Sequence, residues 1–417
     1  MAGSIQLAHT LARPTLAATS TPQVCYALLE MTPTEALAQV RMPLNISFVL
    51  DRSGSMDGDK LRCVREATSL ALDQLDAHDT FSILTFDTRL DVLAASQSAA
   101  NTQTAKARIA QLRADGGTQI SLGMGQAIKE LQHGAPGALK RMILLTDGQT
   151  GGDEADCLRL ADQARRAGVQ ISAFGLGDDW NELLLQEIAD RSGGKADYID
   201  QPRALIAGFQ NDVTSAQRAV VQNAVLNMRL IQGVTPRAVW QVTPFIKNLG
   251  YQPVSDRDVS VPLGELETGQ GRALLIDMLV PPRPPGQYRI GQVEVSYDIP
   301  TLGVIGEKTR QDVLLVFTDD PLRAQQTDAR VMNIVEKVSA FRLQTQAIKD
   351  AESGNIAGAT QKLRSAVTRL LSQGEVELAQ TVRQEIANLE QQGQISQSGS
   401  KTIKFTGSKT VRLKDMQ

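Results

Sequence analysis

The run Leu44-Asn45-Ile46-Ser47-Phe48-Val49-Leu50 constrains this chain more than any other stretch. It is mostly apolar and long enough for a strand buried on both faces, as in a parallel sheet covered by helices. It ends on Asp51-Arg52-Ser53-Gly54-Ser55, which sets one carboxylate and two hydroxyls on alternate residues of a tight turn. Ligand sites in open α/β sheets lie at the carboxyl ends of their strands. An all-oxygen donor set there suits a hard divalent cation such as Mg²⁺.

Two later stretches can converge on the same point. Ala114-Asp115-Gly116-Gly117-Thr118 places a hydroxyl after a glycine pair. Met142-Ile143-Leu144-Leu145-Thr146-Asp147-Gly148 is a second buried strand ending in a carboxylate. Around these landmarks the pattern alternates between strand and helix. Helical spacing occupies residues 59–75, 102–112, 121–131, 153–167, 179–190 and 202–217. Strand patterns occupy 79–87, 138–146, 169–175 and 196–199, with 89–94 as a hairpin partner at the sheet edge. Such alternation predicts a doubly wound, mostly parallel sheet over residues 43–218.

Asp51, Ser53, Ser55, Thr118 and Asp147 together resemble the metal-ion-dependent adhesion site of von Willebrand factor A domains. The match is Asp-x-Ser-x-Ser, then Thr after Gly-Gly, then Asp-Gly after a hydrophobic strand, in that order. A lone Asp-x-Ser-x-Ser would read as a solvated turn; three elements in order reverse that. The resemblance implies a Rossmann-like A domain over a little over two fifths of the chain. It further implies that Ser53, Ser55 and Thr118 offer neutral hydroxyls to Mg²⁺, with Mn²⁺ and Ca²⁺ as alternatives. Asp51 and Asp147 would hold the ion mostly through water, and a partner's Glu or Asp would complete its coordination.

Outside that segment the character changes. Residues 219–320 carry strand patterns at 220–231, 259–263, 272–280, 288–297 and 309–317, which suggest a β-sandwich. Residues 1–42 hold orphan strands at 5–11 and 24–31 that are too short to fold alone. They are expected to complete the sandwich, so that the A domain is an insertion, a layout that resembles inter-α-trypsin inhibitor heavy chains. Residues 321–392 read as a small helical region with helices at 327–353, 356–372 and 375–391. Residues 393–417 read as a flexible, basic, Thr-rich tail. Its alternation of Ile403, Phe405, Val411 and Leu413 with polar residues suits an edge strand added to a partner. Phosphorylation of its threonines is a second route to a partner. Its removal is expected to leave stability unchanged.

Composition excludes several classes. Net charge is −3 and aromatics are 4%, which leaves no footprint for nucleic acid. Cys25, Cys63 and Cys157 are far apart, as are His9, His78 and His133, so neither a disulfide framework nor a zinc site is expected. No apolar run approaches the roughly 18 residues of a membrane span, and the N-terminus lacks a basic region followed by an apolar one. The expectation is a cytoplasmic protein without nucleic-acid or membrane partners.

No P-loop and no Gly-x-Ser-x-Gly elbow occurs, and the lone Gly175-Leu176-Gly177 is followed by Trp180. Asp51 after a first strand raises the aspartyl phosphatases, but Ser53 stands where those carry a second acid. Asp57, Asp59, Asp178 and Asp179 read as solvent-facing charges at helix N-termini. A cation-dependent adaptor that is not an enzyme is therefore the favoured reading. A regulatory subunit of a AAA-type ATPase complex is the alternative, and a metal-dependent hydrolase a weaker one.

Overall fold

The computed structural model describes residues 4–37, 39–253 and 258–409. It contains two compact units, residues 41–219 and, on either side of them in sequence, residues up to 40 and from 220.

Residues 41–219 form a six-stranded sheet in the spatial order Leu90–Ser98, Thr80–Phe86, Leu44–Asp51, Leu139–Thr146, Val169–Leu176, Lys195–Ile199. All neighbours are parallel except the hairpin of Thr80–Phe86 with Leu90–Ser98. Every residue of Leu44–Asp51 is buried, as its apolar run predicts for a central strand covered on both faces. Ile46, Phe48 and Leu50 share a core with Val64, Ala67 and Ala71 of the helix Asp59–Asp73, and with Phe209 and Val213 of the helix Ala204–Arg218. Burying a side chain the size of Phe48 is worth roughly 1.5–3 kcal/mol, so this face contributes much of the unit's stability. Val49, next in the alternation, faces the helix Ile120–Glu130. A Cβ on Gly123 would stand 2.5 Å from its Cγ1, so only glycine lets that helix approach so closely.

The chain leaves Leu44–Asp51 toward Thr80–Phe86 on one side and later returns at Leu139–Thr146 on the other. The sheet's order therefore reverses at the end of Leu44–Asp51, where open α/β sheets form their ligand crevices. At the opposite end the buried Asp79 gathers the chain's entry. Its carboxylate accepts the Leu44 N–H at 2.9 Å and the Arg41 guanidinium at 2.8 Å. Gln217, near the chain's exit, donates to Gln74 O at 2.7 Å in the same corner.

A buried ion pair fixes the last helix. Asp212 accepts Lys195 Nζ and Ser172 Oγ, each at 2.8 Å. Burial pushes the Asp212 carboxyl up, but the charges of Lys195 and Arg141 outweigh it and hold it below its ordinary value. Its contribution is thus present at neutral pH and fades only in strong acid. Asp212→Ala strands those cations and is expected to cost about 3 kcal/mol, read as a lower denaturant midpoint at unchanged slope.

In the other unit two sheets face each other. One runs Ile5–Leu11, Gln23–Pro33, Arg272–Val280, Thr235–Thr243, Lys247–Asn248. The other runs Gln252–Pro253, Asp258–Glu267, Ala219–Leu230, Gly286–Ile299, Val304–Thr318, Thr15–Ala17. Leu29, Met31, Leu274 and Ile276 of the first meet Leu226, Met228, Val293 and Val295 of the second in a common core. The N-terminal strands thus complete the sandwich, and residues 41–219 lie in sequence between its two pieces. The strand Thr235–Thr243 lies second from the edge of its sheet and escapes the sequence pattern, because Pro236 and Arg237 break its apolar run and Val239–Thr243 are buried on both faces. Trp240 and Val242, on its outer face, pack under Val331, Ile334, Val335 and Val338 of the helix Ala329–Glu352.

Among the described residues the helical region holds the expected helices Ala329–Glu352, Ile356–Ser372 and Val376–Gln392, the short helix Pro321–Ala324 before them and one more after them. Gln397–Ser408 is a helix where the sequence suggested a flexible tail and an edge strand. Ile403 is fully buried with Leu363, Leu378, Val382 and Leu389, and Phe405 is 7% exposed. The Ser396 side chain accepts the Gly399 N–H, and Glu385 accepts the Ser396 N–H at 2.7 Å and its hydroxyl at 2.8 Å. At the far end Ser408 O accepts the Ile246 N–H at 2.6 Å. Burial of the Ile403 and Phe405 side chains and anchoring at both ends override the two-residue alternation. Thr410, Val411, Arg412, Leu413 and Lys414 lie outside the described residues.

Candidate metal site

The two inner strands deliver two carboxylates to the switch point. Asp51 closes its strand fully buried; one of its oxygens accepts the Ser53 N–H at 2.7 Å and the other the Thr146 hydroxyl. Ser53 and Ser55 lie on either side of Gly54 at the start of a short turn pinned by the buried Met56, and their hydroxyls stand 3.1 Å apart. Ser55 Oγ donates to Asp147 Oδ1 at 2.7 Å, and Lys60 Nζ donates to Asp147 Oδ2. A hydrogen-bonded path therefore runs from Thr146 through Asp51, Ser53 and Ser55 to Asp147.

Thr118 arrives from a different loop. A Cβ on Gly148 would lie 3.6 Å from Thr118 Oγ1 and 3.9 Å from Ser55 Oγ, so both hydroxyls flank the bare backbone of Gly148. The structure thus brings all five residues, Asp51, Ser53, Ser55, Thr118 and Asp147, to one rim.

The sequence reading missed the residues that hold these loops. Arg52 Nη2 pairs with the buried Asp87 at 2.9 Å. Gly54 N donates to Gly116 O at 3.0 Å, Asp115 N to Arg52 O at 2.8 Å and Gln119 N to Asp87 O at 3.0 Å, which ties the Thr118 loop to the serine turn. From the third side Gly151 N donates to Thr118 O at 2.7 Å. Asp153, which accepts Ser121 N at 2.7 Å and the Thr150 hydroxyl, fixes the loop beyond. None of these partners is marked by a spacing rule, because each comes from a separate strand end.

The donors fit a hard divalent cation. They are oxygens only, two charged and three neutral. Among the described residues no three His, Cys, Asp or Glu side chains come together, so a softer, nitrogen- or sulfur-rich site is not offered elsewhere. Burial pushes the Asp51 carboxyl up to about 6, against the hydrogen bonds from Thr146 and Ser53 and with a further push from the charge of Asp147. A cation between the two carboxylates would relieve that stress. Asp51, Ser53 and Asp147 are buried whereas Ser55 is exposed and Thr118 half-buried, so the cradle opens to solvent on the side of Ser55 and Thr118.

Comparison with known proteins places the fold in a family. Residues 45–211 match the von Willebrand factor type A domain, and residues 329–414 match the Sll0103-like C-terminal alpha-helical domain. The uncharacterized protein sll0103 of Synechocystis sp. is 31% identical over 330 residues, 78% of each chain. The chain belongs to the sll0103 family of von Willebrand factor A proteins. Inter-alpha-trypsin inhibitor heavy chain H4 of Bos taurus is 34% identical over 189 residues, which are 42% of this chain but 21% of that protein. Among solved structures, the von Willebrand factor type A protein from Catenulispora acidiphila superimposes with a TM-score of 0.79 at 22% identity, covering 97% of both chains. The ArnB paralog VWA2 from Sulfolobus acidocaldarius gives 0.58 at 16% identity, covering 97% of this chain and 99% of that one. These two likenesses extend over nearly the whole chain and show a shared fold. The match to the Sll0103-like C-terminal domain spans the extra helix Gln397–Ser408 as well.

The raised Asp51 pKa makes the site's pH dependence testable. The folded protein holds this proton between pH 3.8 and about 6 where the unfolded chain releases it, so the metal-free protein gains stability as pH falls through that window. A cation must displace the same proton. Magnesium-induced thermal stabilisation is therefore expected to be full at about pH 8 and to shrink at about pH 5, read by paired melts with magnesium and with EDTA.

Proposed function

We propose that the rim binds a divalent cation, Mg²⁺ first among candidates, and that the cation captures a Glu or Asp carboxylate of a protein partner. The observation that carries this is the convergence of two buried carboxylates with three hydroxyl residues, of which Ser55 and Thr118 reach solvent, at the switch point. Asp51, Ser53, Ser55, Thr118 and Asp147 would hold the ion. When bound, the ion supplies an electrophilic centre with coordination positions left for an incoming oxygen. The protein's part is to fix those donors through Arg52–Asp87 and the Thr118 loop, and to keep neutral hydroxyls on the open side, so that negative charge comes best from the partner. On this reading the chain is a cation-dependent adaptor and not an enzyme, with Asp51 and Asp147 engaged in holding the ion rather than in chemistry. Calorimetric titration with Mg²⁺, Mn²⁺ and Ca²⁺ tests the cation, with one ion per chain expected and no heat of binding as the contrary result. Capture of proteins from a native lysate with Mg²⁺ and with EDTA tests the partner; capture that survives EDTA contradicts the proposal.

A further inference from the structure

Lys60 stands in the first turn of the helix Asp59–Asp73. A cation there opposes the helix dipole, which favours negative charge at that end. The side chain is nevertheless turned inward, 30% exposed, with its ammonium on Asp147 Oδ2. Asp147 is buried, so it faces an ammonium on one oxygen and the Ser55 hydroxyl on the other. The sum of formal charge in the cradle is then two carboxylates against one ammonium.

We infer that Lys60 is a positioning residue that acts as a permanent counter-cation of the site. It engages Oδ2 of Asp147, leaves only Oδ1 turned toward the serine hydroxyls, and keeps the loaded cradle one charge short of neutrality. This rests on the cation reading above and deepens it. With Lys60 present, a divalent ion leaves the rim with a net positive charge, which a partner carboxylate neutralises. Without Lys60 the two aspartates alone balance the ion, which then binds more tightly and attracts an outside carboxylate less. Lys60 thus exchanges metal affinity for selectivity toward acidic ligands.

The test compares wild type, Lys60→Met and Lys60→Arg by titration with magnesium alone and with sodium acetate as a carboxylate probe. Lys60→Met is expected to bind magnesium on the order of tenfold more tightly, because a like charge beside the ion is gone. Acetate should tighten magnesium binding to wild type and lose that effect in Lys60→Met. Lys60→Arg retains the charge and should keep the wild-type pattern. In EDTA, Lys60→Met should melt below wild type, since Asp147 has lost its counter-charge, and magnesium should close the gap. Magnesium uptake by wild type with equal or weaker uptake by Lys60→Met overturns the role of Lys60 alone. Failure of wild type to take up magnesium or manganese overturns the cation reading itself.

Discussion

A chain ending at Gly393 is expected to melt well below the full-length protein. It loses the helix Gln397–Ser408, and with it the burial of Ile403 and Phe405 and the hydrogen bonds of Glu385 to Ser396. Two such side chains contribute roughly 3–6 kcal/mol together by area alone. For a unit of this size that corresponds to a fall on the order of 10 °C in the transition of the sandwich and helices. The single substitution Ile403→Ala isolates the packing contribution and should cost about 2–5 kcal/mol. Differential scanning calorimetry reads both variants. An unchanged transition would mean that this segment is not docked in solution.

Asp51→Ala should separate binding from stability. Cation affinity is expected to fall by more than the roughly 10–100-fold that loss of a supporting residue costs, because a charged donor is removed outright. Metal-free stability should change little, or rise. The buried carboxylate sits beside Asp147 with its pKa pushed up to about 6, so its removal relieves a cost as well as deleting the bonds to Ser53 and Thr146. The expected record is a melting curve in EDTA near that of wild type and no upward shift on adding magnesium. A large fall in EDTA would assign Asp51 to the core's stability instead.

The A domain was legible because its signals are local. The apolar run Leu44 to Leu50 and the polar turn after it each name a structural role, and Asp147 closes a second apolar run, Met142 to Leu145, in the same way. What escaped was non-local. Arg52–Asp87 and Lys60–Asp147 join residues 35 and 87 positions apart, and no spacing rule reaches across separate strand ends. The segment at Ile403 and Phe405 was misread for a related reason. Ile403 and Phe405 alternate with polar residues as the inner face of a strand would, yet the segment is a helix, fixed by packing of Ile403 in a core with Leu363, Leu378, Val382 and Leu389, which the local sequence does not reveal.

The corner at Asp79 has a mechanical meaning. The chain enters the A domain at Leu44 and leaves it beyond Gln217, both at the end of the sheet away from the rim. A tug applied to a tethered ligand would leave through two backbones side by side, so neither connection bears the whole load and the domain offers no loose end from which to be unzipped.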